Sequence, residues 1–351
     1  MDRAPSIISI GPLINITFSQ WIALNQCPLK GALRSAIMDG ELPKPPVTRA
    51  NLVGIFHHEA MEQVALERSP DVIRRTLEGR IEEIQRIVSN SPHLRRLGSV
   101  SGWVEINRSV TIAQELSSSW VGTEKVDRRA HAELDLQSKS KLIKGRPDFF
   151  SVHESVADLR EYKSGTIREK DGLLRCEYLD QVKFNSYLIV DTFQVETVNA
   201  SIESLSGDRC EEQISLEHAR RFGAAVEMSL TEFNRANEKC ETWEVLATPN
   251  RDACTFCLGR PVCRPFKKSQ DQLGLEGEQY VLEGNLLGLE KTKLGTVAAV
   301  KDVYRGNRAE LLIPEEVSQE LTSKNAYMFM NLRRQGPMLS WGNTSRVLRC
   351  D

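Results

Sequence analysis

The chain has 351 residues, 40% hydrophobic and 27% charged, with Lys+Arg 46 set against Asp+Glu 48 and a formal net charge of -2. That length suits one large domain or two moderate ones, and the balanced charge excludes a globally basic nucleic-acid binder but not a local basic groove. No apolar run approaches the length of a membrane span, and Met1-Asp2-Arg3-Ala4-Pro5 lacks a secretory signal pattern, so a cytosolic protein is expected.

Residues 7–13 read as a first strand. Ser19 can cap a short helix whose apolar side is Trp21 and Leu24, and Pro28 puts Cys27 at its break. Pro43, Pro45 and Pro46 mark a loop. Residues 51–67 carry Leu52, Ile55, Phe56, Met61, Val64 and Leu66 at helical spacing. A second helix opens at Ser69-Pro70-Asp71, follows Ile73, Leu77, Ile81, Ile84 and Val88, and ends before Pro92. Residues 103–106, 109–112 and 132–136 read as short strands. Residues 142–150 lead through Asp148 to a turn at His153-Glu154-Ser155, and residues 156–163 form the next strand. Helical pattern returns over 173–191, a strand follows over 195–202, and a long helix covers about 215–237. This order predicts an α/β core with a mixed central sheet flanked by helices. Past residue 278, three strands (279–289, 294–304, 308–313), a short helix from Pro314 and two more strands (326–332, 338–348) follow the order of a small OB-type barrel. Tyr304, Arg305, Tyr327, Phe329, Arg333, Arg334 and Trp341 would be available there for single-stranded nucleic acid; a protein-docking role is the alternative.

Two stretches carry chemistry. In Glu161-Tyr162-Lys163 the acid and the lysine stand two residues apart on a strand and so share a face. A hairpin brings Asp148 of Gly145-Arg146-Pro147-Asp148 beside them. Two carboxylates and a lysine suit a hard divalent cation and an activated water, although an exposed ion pair on a surface hairpin has the same pattern. The second stretch is Cys254-Thr255-Phe256-Cys257 followed by Cys263. Three thiols so close in a reducing compartment point to a metal, with Cys27 the candidate fourth ligand; zinc and iron both suit four cysteines. Cys176, Cys210, Cys240 and Cys350 are isolated.

These motifs in this order resemble the PD-(D/E)XK nuclease superfamily, in its RecB/AddB-like branch with an iron–sulfur cluster. The branch includes the CRISPR-adaptation nucleases and single-strand exonucleases of similar layout. The resemblance covers about residues 15–266 and implies a restriction-endonuclease-like core, with residues 1–270 as nuclease domain and 278–351 as a small β domain. It implies Asp148, Glu161 and Lys163 as catalytic residues. His58 joins Asp148 and Glu161 on Mg²⁺ or Mn²⁺, because Gly54, His58 and Glu62 match the family's early helix; His57 is the fallback ligand. It implies Cys27, Cys254, Cys257 and Cys263 as ligands of a 4Fe–4S cluster, closing a very long loop. Gln181 matches the family's glutamine and, with Arg146, is expected on the strand backbone. Asn185 departs from the family, which places a tyrosine there; Tyr178 and Tyr187 are its possible substitutes. The implied activity is phosphodiester hydrolysis in DNA, on single strands or strand ends. The competing function is a non-catalytic iron–sulfur subunit that binds nucleic acid for a helicase or a defence complex.

Overall fold

The computed structural model describes residues 10–38, 47–66, 69–91, 94–120 and 129–350. Its helices are α1 (Phe18–Gln26), α2 (Pro28–Met38), α3 (Arg49–Ala65), α4 (Pro70–Asn90), α5 (Val104–Trp120), α6 (Cys176–Phe193), α7 (Leu216–Glu238), α8 (Arg251–Cys254), α9 (Arg264–Ser269) and α10 (Glu315–Gln319). Its strands are β1 (Arg129–Ala132), β2 (Leu136–Gln137), β3 (Lys144–Gly145), β4 (Phe149–His153), β5 (Val156–Lys163), β6 (Thr197–Ser204), β7 (Arg209–Ser215), β8 (Glu278–Thr292), β9 (Gly295–Asp302), β10 (Arg308–Ile313), β11 (Ala326–Gln335), β12 (Met338–Ser340) and β13 (Arg346–Cys350). The chain divides into two compact units, one holding residues 14–18 and 47–231, the other residues 1–13, 19–46 and 232–351. Among the described residues, no helix is long and apolar enough to cross a membrane.

The first unit is built on a five-stranded sheet ordered β1-β4-β5-β6-β7. Only the β5–β6 step is parallel, and a parallel step needs a long crossover, which α6 supplies. Alternation along β5 sends Tyr162 to one face and Glu161 and Lys163 to the other. On the Tyr162 face, α3, α4 and α5 enclose Phe56, Met61, Ile73, Leu77, Ile84 and Ile106 together with Phe149 and Tyr162. Each large apolar side chain fully buried there contributes about 1.5–3 kcal/mol. The other face of β5 and β6 is covered by α6. The sheet is therefore mixed and flanked by helices, as expected. Thr48 starts α3 with a capping box: its hydroxyl accepts the Asn51 N–H at 3.2 Å, and the Asn51 side chain accepts the Thr48 N–H at 3.1 Å. This fixes the helix that carries His58.

Four local expectations are corrected. Residues 103–106 and 109–112 are not strands but belong largely to α5. Ile106, Val110, Ala113 and Leu116 recur at three- and four-residue spacing and pack on α3 and α4, a helical stripe that short apolar pairs conceal. The strand expected over 132–136 breaks at Glu133, whose φ of 49° is left-handed. The edge strand β7 has no counterpart in the sequence reading, because Arg-Cys-Glu-Glu-Gln-Ile-Ser alternates little apolar surface. Residues 10–13 are not in a strand, and residues 1–9 and the Pro43–Pro46 loop lie outside the described residues.

In the second unit β8, β9 and β10 form an antiparallel meander. Strand β10 then pairs in parallel with β12, β12 pairs with β11, and β11 returns to β8. The ring is closed, with α10 between its third and fourth strands, which is the connectivity expected of a small OB-type barrel. The strand expected over 338–348 is split into β12 and β13 because the intervening turn wraps a carboxylate. Glu278 accepts the N–H groups of Asn343 at 2.9 Å and Thr344 at 2.7 Å. Tyr327 and Phe329, expected on the surface, are 1% and 0% exposed and fill the barrel. The expected basic residues are ion-paired: Arg333 with Glu278, Arg334 with Asp271, and Arg305 with Asp271 and Asp302.

Candidate active site

Main-chain geometry brings the acids together. Asp148 immediately precedes β4, and its Oδ2 accepts the Tyr162 N–H of β5 at 2.7 Å. The Glu133 N–H in turn donates to the Asp148 carbonyl at 3.1 Å. Helix α3 presents His58, whose Nδ1 lies 3.2 Å from Asp148 Oδ1 and 3.7 Å from Glu133 Oε1. Among the described residues, His58, Glu133 and Asp148 are the one set of three His, Cys, Asp or Glu donors with ligand atoms all within 4.8 Å. Such a histidine–carboxylate set suits a divalent cation.

On β5, Glu161 is fully buried. Its Oε2 accepts Gln181 Nε2 of α6 at 2.8 Å and lies 3.3 Å from Lys163 Nζ. Its Oε1 accepts the Asn185 side-chain amide. The Lys163 ammonium sits 5.6 Å above the Tyr178 ring. Arg146, exposed, pairs its Nε with Glu133 Oε2 at 2.5 Å.

The electrostatics pull in opposite directions. Burial alone would lower His58, but hydrogen bonds to Asp148 and Glu133 outweigh it and push the ring up to about 10. Burial would raise Asp148, yet the His58 hydrogen bond and charge hold it below the usual carboxylate range. Glu161 is pushed up to about 8, by burial first and then by the Asp148 charge. Two neighbouring carboxylates held apart in this way mark a site where extra positive charge is stabilising.

The structure places His58 beside Asp148 and Lys163 beside Glu161, but the close donor set holds Glu133 where the resemblance implies Glu161. It removes the fallback: His57 is 2% exposed, with Nδ1 3.1 Å from Ser109 Oγ and its ring edge-on to Tyr162. Burial, and then the His58 charge, lower it to about 4. Gln181 spends its amide on Glu161. Of the substitute tyrosines, Tyr178 lies over Lys163, whereas Tyr187 reaches Glu227 at 3.3 Å. Glu133 was not anticipated: within Ala-Glu-Leu-Asp it reads as one member of an alternating strand. No spacing marks it, since its position depends on a left-handed residue and on a main-chain bond to Asp148.

In the other unit, Cys27, Cys254, Cys257 and Cys263 are buried and line one cavity with Leu29, Leu33 and Phe266. The Thr248 N–H points at Cys27 Sγ from 3.4 Å. Arg260 is buried beside them and donates to the Cys257 carbonyl at 3.0 Å. Gly259 lets this loop approach α2, since a Cβ there would stand 2.4 Å from Leu33 Cδ1. Burial raises the Cys254 and Cys257 thiols and pushes Cys263 up to about 12.

Comparison with known proteins bears on the family. No match was found among curated proteins. Among solved structures, the chain is similar to a candidate exonuclease from Eubacterium rectale, at 8% identity and a TM-score of 0.40, covering 64% of this chain and 81% of that one. The family model of the PD-(D/E)XK nuclease superfamily matches residues 15–264. The chain belongs to the PD-(D/E)XK nuclease superfamily.

Proposed function

We propose that this chain is a metal-dependent deoxyribonuclease of the RecB/AddB-like branch, acting on single strands or strand ends and carrying a 4Fe–4S cluster. The observation that carries the reading is the His58–Glu133–Asp148 donor set, next to the buried Glu161 and its lysine. Together, His58, Glu133, Asp148 and Glu161 would hold Mg²⁺ or Mn²⁺. When bound, the cation polarises the scissile phosphate and makes water a competent nucleophile near neutral pH. Asp148 is fixed by the Tyr162 N–H, so its Oδ1, beside His58, keeps one direction. Lys163 keeps its proton, because the Glu161 and Asp148 charges outweigh burial and raise it. Its ammonium is therefore placed to stabilise charge building on the phosphorus oxygens. Arg146, on the exposed side, would contact the strand backbone; Gln181 was expected to share that role.

Four buried cysteines around one cavity suit either zinc or a cluster; the family resemblance is what favours the cluster. When bound, the cluster supplies a staple between segments more than two hundred residues apart.

Purified protein incubated with end-labelled single- and double-stranded DNA tests the reading. Cleavage with Mn²⁺ that stops on chelation is the expected result. Retained binding without cleavage would instead favour a non-catalytic subunit of a helicase or defence complex, which has no chemical need for Lys163.

A further inference from the structure

We infer that Gln181 and Asn185 are positioning residues that hold the Glu161 carboxylate as a preformed cation ligand, and that they are not strand contacts. The inference rests on reading the site as cation-binding. Four-residue spacing puts both amides on one face of α6, one turn apart. Gln181 Nε2 donates to Oε2 at 2.8 Å, and the Asn185 amide donates to Oε1, so each oxygen has its own donor.

The chemistry matches the task. An ionised carboxylate offers about four acceptor directions over its two oxygens. The amides occupy one direction on each oxygen, and Lys163 lies near one of them, which leaves acceptor capacity for a cation. All these neighbours are donors, which suits the ionised carboxylate that ligates a cation. A fully buried acid with an unpaired oxygen is costly, so the clamp also keeps Glu161 in its ligating orientation before any cation arrives.

Burial keeps the Asn185 half of the clamp from a strand. Asn185 is 3% exposed, so a phosphate could meet its amide only by displacing Glu161. Gly145 of β3 lies against the same stretch of α6. A Cβ at that position would stand 2.7 Å from Leu188 Cδ1, 3.2 Å from Phe184 Cε1 and 3.4 Å from Asn185 Oδ1. A side chain there would require the Leu188 tip to shift. Asparagine at 185 thus occupies a buried position against Glu161.

The test uses Gln181→Met and Asn185→Ala in the full chain after chelator treatment. Mn²⁺ affinity is measured by calorimetry, and kcat and KM on a single-stranded oligonucleotide. Loss of an outer hydrogen-bonding partner typically weakens metal affinity or activity by about 10–100-fold. The expected outcome is a loss of that size in Mn²⁺ affinity and in kcat, with KM for the strand held within about twofold. Gln181 is only half-buried, so Gln181→Met is the variant whose fold is least at risk; circular dichroism checks both. A raised KM with unchanged Mn²⁺ affinity would overturn the inference and restore Gln181 as a strand contact. Unchanged Mn²⁺ affinity in both variants overturns it as well. If the wild type binds Mn²⁺ without cleaving and the variants bind it more weakly, the clamp stands and the nuclease reading fails.

Discussion

The two units treat buried charge in opposite ways. In the barrel unit, acids and bases are matched. Lys267 pairs with Glu283, Arg305 spans Asp302 and Asp271, and Arg333 pairs with Glu278. In the sheet unit, Asp148, Glu133 and Glu161 crowd one corner; exposed Arg146 pairs with Glu133, and the cationic partners of Asp148 and Glu161 are His58 and the buried Lys163. Matched pairs are what a scaffold needs. A corner that packs three carboxylates together, with a histidine and a buried lysine among their partners, departs from that rule, and such departures concentrate at functional sites. The candidate active site accordingly lies in the sheet unit.

Substitutions can break this contrast. Asp148→Asn removes the carboxylate charge shared by the His58 and Glu161 sides of the site. Its expected effect is a loss of roughly 10³-fold in cleavage, whereas Arg333→Gln in the barrel leaves the rate unchanged. Comparable rates for the two variants would erase the distinction between the units. The next largest effect is on stability. Cys263→Ser should lower iron content and destabilise the fold by about 3 kcal/mol or more. That corresponds to a fall of roughly 6–12 °C in Tm at about 2–4 °C per kcal/mol. Full iron content and an unchanged melting curve would remove Cys263 from the ligand set.

Protonation sharpens the comparison further. In the cation-free protein His58 is raised from 6.5 to about 10 and Glu161 from 4.5 to about 8. Both native values exceed the unfolded ones, so each contribution to stability is complete below the unfolded value. Each is then lost as pH rises through the native value. The cation-free protein should therefore lose Tm as pH rises from 4.5 to about 10, and Mn²⁺ should restore part of the loss. Ligation requires these groups deprotonated, so Mn²⁺ affinity should rise by at least about tenfold per pH unit between roughly pH 6 and 8. A flat affinity profile contradicts the geometry around His58. The smallest effect belongs to the barrel surface: Arg334→Gln, which loses an exposed pair with Asp271, should change stability by no more than about 1 kcal/mol.

Regular periodicity made much of the fold legible. The alternation of β5 and the apolar stripe of α4 appear in the structure much as the sequence suggests. The same holds for Glu161 and Lys163, because side chains two apart on a strand must share a face. What escaped detection depended on tertiary partners. Helix α5 carries a polar majority, and its stripe has meaning only against α3 and α4. Strand β7 is too polar to announce itself and forms because β6 offers a free edge. Glu133 reaches His58 through a left-handed backbone that no local pattern encodes. Asn185 looked like a defect in a known motif, and its use became visible only with Glu161 and Gly145 beside it.

The central claim is that the acid-rich corner hydrolyses a phosphodiester with the help of Lys163. The most direct measurement is the rate of end-labelled single-strand cleavage with saturating Mn²⁺, for the wild type and Lys163→Ala prepared in parallel. Lys163→Ala should show at least about a 10²-fold loss, with iron content, circular dichroism and Mn²⁺ binding retained. Metal-dependent cleavage by Lys163→Ala at the wild-type rate would contradict the account.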